Sequence, residues 1–142
     1  MGRFLVACFL ATLAFSVPTA DAVINPNILK QFQKRAPEKV VVKITQVTIE
    51  TDDRSRFVTA KGKVQYVHES RSGLKKGQRI TIKYTSRKRR SRASGPKPIP
   101  LLSKGVTGAY LSGSKGLYSP VARSHSFVSP KKIRTLKSDK QR

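Results

Sequence analysis

Cysteine occurs once, at Cys8, inside the apolar stretch that begins the chain. Everything after it is thiol-free, which excludes an internal disulfide, a thiolate metal centre and a cysteine nucleophile. Histidine is nearly as scarce: His68 and His125 stand without neighbouring acids or cysteine, and two such residues make no metal constellation. Carboxylates are few, 7 Asp+Glu against 30 Lys+Arg. The one adjacent pair, Asp52-Asp53, sits in a polar stretch that reads as a solvated turn. Ser124-His125-Ser126 is adjacent in sequence, which is not triad geometry. These shortages predict a protein that is not an enzyme and that carries no catalytic, cofactor-binding or metal-binding residues. Tryptophan is absent and aromatics are 7% of residues.

Long apolar runs are also missing, with one exception. Phe4 to Val17 follows the short basic start Met1-Gly2-Arg3, has signal-peptide length and is too short for an ordinary spanning helix. Small residues at Ala20 and Ala22 mark a cleavage site, so residues 1–22 are expected to leave and the mature chain to begin at Val23, exported to a periplasmic or extracellular location. The rival lipobox-like reading of Leu5-Val6-Ala7-Cys8 has too few apolar residues before the cysteine. Arg3 and Asp21 leave together, so the charge stays at +23. A field of that size attracts polyanions. Nucleic acid, anionic glycan and lipopolysaccharide are the candidate partners; basicity of composition alone is the competing explanation.

Past the leader the pattern is mostly β. Residues 23–37 read as a short helix and linker, with Asn25 as cap, Pro26 in the first turn, an apolar stripe of Ile28, Leu29 and Phe32, and a stop at Ala36-Pro37. Val40 to Ile49 alternates as a strand whose parity switches near Thr45-Gln46, the signature of a β-bulge. Phe57 to His68 is a second strand, with Val58, Ala60, Gly62, Val64 and Tyr66 on one face; Gly62 signals a bend or a close backbone approach. After a glycine-bounded turn, Arg79 to Tyr84 alternates as a third strand, with Ile80, Ile82 and Tyr84 inward. Ile99 to Leu102 leads into a fourth strand around Gly108 to Leu111. Leu117 to Ala122 reads as a turn or short helical segment, and Ser126 to Val128 as a last short strand. From Ser129 to Arg142 the chain reads as a flexible basic tail. The expected fold is mainly β, a five-stranded barrel over residues 38–128 with a short N-terminal helix.

The expected anion contacts follow from this alternation. Lys61, Lys63, Arg79 and Lys83 share the outer face of the second and third strands, and Arg87, Lys88, Arg89, Arg90 and Arg92 crowd the next loop, where they are too charged to pack. Tyr66 and Tyr84 fall on the core parity, which leaves no evident stacking residue and points to charge-driven, sequence-indifferent binding.

The order of helix, bulged strand, strand with central glycine, Gly73–Tyr84 (GLKKGQRITIKY), a Gly-Pro loop, Pro98–Leu111 (PIPLLSKGVTGAYL) and Leu117–Phe127 (LYSPVARSHSF) resembles the netrin-module and metalloproteinase-inhibitor branch of the OB-fold, in its small exported bacterial versions. The resemblance covers about residues 38–128. It implies an OB-like barrel that contacts a partner protein through its loops. The inhibitor members place an N-terminal cysteine on a protease's zinc; this chain offers Val23 there and has no cysteine, so inhibition by that route is not expected. An electrostatic polyanion-binding module, a protein-interaction module and an envelope-structural protein remain open.

Overall fold

A computed structural model of the chain describes residues 25–89 and 95–136. The cleavage residues Ala20 and Ala22 and the loop residues Arg90 and Arg92 lie outside them. Helix α1 (Pro26–Arg35) is capped by Asn25, whose side chain accepts from the Asn27 N–H at 2.9 Å. Its buried residues are Leu29 and Gln33, while Ile28 and Phe32 are exposed. The expected stripe is therefore rotated, because Gln33 Nε2 donates to the His125 carbonyl at 2.8 Å and turns that face inward.

The barrel is built from β1 (Glu38–Thr51), β2 (Ser55–Ser70), β3 (Arg79–Arg87), β4 (Gly105–Ser114) and β5 (Leu117–Pro120). The order β1-β2-β3-β5-β4 closes through a further β1–β4 pairing. Only β3–β5 is parallel; the other pairs are antiparallel. The result is the expected mainly-β closed five-strand barrel, mixed in direction and compatible with an OB-like fold. A two-residue strand β6 (Phe127–Val128) adds to β4. Leu117–Pro120 is thus a barrel strand, which corrects its reading as a turn or helical segment: the tight Ser114–Leu117 reversal, with Lys115 and Gly116 at positive φ, folds it back on β4. A 3₁₀ turn follows at Arg123–His125.

The β1–β2 pairing shifts register three times: beside Lys39–Val40, where His68 of β2 is extra, and at two further bulges in opposite strands that set the side-chain directions. In β1, Ile44 pairs with Gly62 and Gln46 with Lys61, so Thr45 is the extra residue, where the parity switch predicts it. In β2, Val42 pairs with Val64 and Val41 with Tyr66, so Gln65 is extra. That second bulge flips the parity beyond it: Val67 packs on the barrel core and Tyr66 is exposed, which corrects the inward placement of Tyr66. Gly62 sits at a close crossing, where a Cβ would lie 2.7 Å from the Lys43 carbonyl oxygen and 2.8 Å from Val42 Cγ1.

The barrel interior holds Val40, Val42, Ile44, Ala60, Val64, Ile80, Ile82, Leu111 and Tyr118. A second cluster lies outside β1 and β4: Ala36, Val41, Tyr110, Ala122 and Ile133. Ile133 belongs to helix α2 (Pro130–Arg134) and is fully buried. The tail therefore does not begin at Ser129. Gly108 makes room for this helix, since a Cβ there would meet Ile133 Cγ1 at 2.6 Å.

Candidate anion-binding face

The outer face of β1, β2 and β3 is a grid that can be read from the register. Lys43 pairs with Lys63, and Lys63 with Arg79. Next come Gln46, Lys61 and Thr81, then Thr48, Thr59 and Lys83, then Glu50, Phe57 and Thr85. Neighbouring strands lie about 4.8 Å apart, so the first row sets three cations within about 10 Å of one another. The Thr45 bulge bends β1 beside this row, and its hydroxyl donates to the Lys61 carbonyl at 3.1 Å. The opening that results is a groove of about 480 Å³ lined by Thr45, Gln46, Lys61, Gly62, Lys63, Arg79, Ile80 and Thr81.

Three of the four outer-face cations predicted from sequence, Lys61, Lys63 and Arg79, line this groove together; Lys83 lies on the same face further along β3. Arg87 ends β3 rather than entering the loop, and Lys88 continues the pairing by donating its N–H to the Arg54 carbonyl at 3.0 Å. Eight residues of strand separate Arg87 from Arg79, about 27 Å. Loop and groove are therefore the two ends of a track, not one pocket. Arg89 is exposed beyond it.

Three residues of this face escape the sequence reading. Lys43 is exposed opposite Lys63, and its parity against Val42 and Ile44 already gives its direction. Phe57 is 48% exposed, on the parity of Thr59, Lys61 and Lys63. Leu117 is 50% exposed beside Thr81; it carries no signal until β5 is known to be a strand.

The polar groups elsewhere hold the frame. Glu38 is fully buried; its carboxylate accepts from the Ser70 hydroxyl and, at 2.8 Å, from the Ser72 N–H. Ser70 Oγ in turn accepts from the Leu74 N–H at 2.7 Å, so β1 ties down the turn that delivers β3. Lys39 and Glu69 form an ion pair at 2.6 Å. None of the described carboxylates is paired with a cation of the track, and Lys39–Glu69 is the ion pair found among the described residues. Tyr84 donates to the Pro100 carbonyl at 2.7 Å, accepts from the Leu102 N–H at 2.9 Å and packs against Phe127 at 5.5 Å between ring centroids. Burial pushes its hydroxyl up to about 12, against the lowering effect of the Leu102 backbone bond. Among the described residues no three His, Cys, Asp or Glu side chains gather closely enough to hold a metal ion.

Comparisons with protein-family models, with curated proteins and with solved structures return no match.

Proposed function

We propose that the protein is an exported, non-enzymatic binding module that holds a polyanion along the outer face of β1–β3. The observation that carries this reading is the Lys43–Lys63–Arg79 row. Like charges directly opposite in a sheet destabilise it, and no described carboxylate relieves them. A polyanion laid across the row supplies the missing counter-charge, and Lys61, Lys83, Arg87, Lys88 and Arg89 extend the same field toward the loop, whose sequence adds Arg90 and Arg92. An OB-like barrel is a familiar support for an extended ligand. The test is titration of residues 23–142 with heparin and an oligonucleotide at low and near-physiological salt. We expect affinity to fall steeply with salt, and to fall at least tenfold when Lys61, Lys63, Arg79 and Lys83 are replaced by Ser. Unchanged affinity in that variant refutes the reading.

One observation favours a second reading, the netrin-like protein-interaction module. The β1–β4 pairing stops at Ile44–Gly105. Among the described residues Gln46–Thr51 is paired only on its β2 side, and such an edge accepts an added strand from a partner. Salt-insensitive binding to one protein of the exported fraction would favour it.

A further inference from the structure

The cationic face carries more apolar surface than a purely electrostatic site needs. Phe57 stands on β2 in line with Lys61 and Lys63, two and three outward positions away, and it is flanked across the sheet by Glu50 and Thr85. Leu117 extends the Gln46–Lys61–Thr81 row onto β5. Both side chains are about half exposed. Neither is a member of the two buried apolar clusters of the fold. The remaining outward positions of the grid are Gln46, Thr48, Thr59, Thr81 and Thr85, which offer hydrogen bonds without charge, and Glu50, the one carboxylate of the grid.

Resting on the polyanion reading above, we infer that the ligand of this face is an unpaired oligonucleotide, its phosphates on the lysines and arginine and a base stacked on the Phe57 ring. A uniformly sulfated glycan satisfies the cations and leaves Phe57 and Leu117 in water. A duplex presents phosphates but keeps its bases stacked on one another. A single strand alternates charge with free aromatic faces, and every base has such a face, so one ring serves without reading sequence. The track suits a chain: its cations run some 27 Å along β3, from Arg79 to Arg87, with Phe57 beside the Lys83–Arg87 half.

The experiment compares a twelve-nucleotide thymidine strand, a charge-matched abasic phosphodiester of the same length, heparin and anionic phospholipid vesicles, against residues 23–142 and its Phe57→Ala, Phe57→Leu and Phe57→Trp variants. Phe57 is on the surface, so the variants are expected to fold, which thermal melting verifies. The inference expects thymidine binding to exceed abasic binding, to drop roughly tenfold in Phe57→Ala and Phe57→Leu, and to return in Phe57→Trp, with heparin binding unmoved throughout. If the thymidine and abasic strands bind alike and Phe57→Ala changes nothing, stacking is refuted while the polyanion reading stands. If Phe57→Ala and Phe57→Leu differ, with Leu fully active, or if the vesicles respond to Phe57 and thymidine does not, apolar insertion replaces stacking and the inference is overturned. If the unmodified protein binds none of the polyanions, both readings fall together.

Discussion

Lys63 faces Lys43 on one side and Arg79 on the other, so it is the residue at which binding and stability oppose one another most directly. Replacement by Thr keeps a β-branched side chain suited to a strand and removes two repulsive cross-strand pairs. Lys63→Thr is expected to raise stability by about 0.2–1 kcal/mol in denaturant titration while weakening polyanion binding; a variant that loses stability as well would mean that Lys63 contributes mainly packing. Tyr84 makes a different prediction, about pH. Its hydroxyl titrates near 10 in the unfolded chain and at about 12 in the fold. The group is raised, so its contribution to stability is complete below pH 10 and is lost as pH climbs through 12. The stability difference between the wild type and Tyr84→Phe should therefore shrink between pH 10 and 12. A difference that stays constant over that window would sink the assignment.

The elements were legible in the sequence to different degrees, for identifiable reasons. The β1 bulge was readable because Val42 and Ile44 fall on one parity and Val47 and Ile49 on the other, and Gly62 because an isolated glycine in a β pattern implies close approach. The Gln65 bulge was hidden, since the residues around it, Tyr66, Val67 and His68, are plausible on either face; the error in placing Tyr66 follows from it. The cations of the groove were found because charge alternates cleanly along β2 and β3, whereas Phe57, at the start of the second strand, was given no face although it shares the parity of Thr59, Lys61 and Lys63. Helix α2 was missed because a five-residue helix surrounded by lysines has a single apolar residue of note, Ile133, and only the β4 surface reveals what it packs against. That burial is testable. Ile133→Ala is expected to cost about 2–5 kcal/mol, read as a fall in denaturation midpoint, and a negligible cost would return the segment to the status of a tail.

At the scale of the whole molecule, charge outweighs every other influence. A net +23 with Lys39–Glu69 as the ion pair among the described residues leaves the compact state repelling itself. Ligand and dissolved salt then act on the same field in opposite ways: each phosphate that binds relieves the repulsion, and salt screens the repulsion and the binding alike. Six cations, Lys43, Lys61, Lys63, Arg79, Lys83 and Arg87, lie along the outward face from the groove to the end of β3. If all six neutralise phosphates of a single strand, the logarithm of affinity should fall with the logarithm of salt at a slope of roughly −4. Removing one track cation should flatten it by about 0.7, whereas a serine at Lys34, on the far helix α1, should leave the slope alone. A slope near zero in the wild type would detach the charge from binding. A slope equally sensitive to Lys34 and Lys63 would assign binding to the overall charge of the molecule instead of the β1–β3 face.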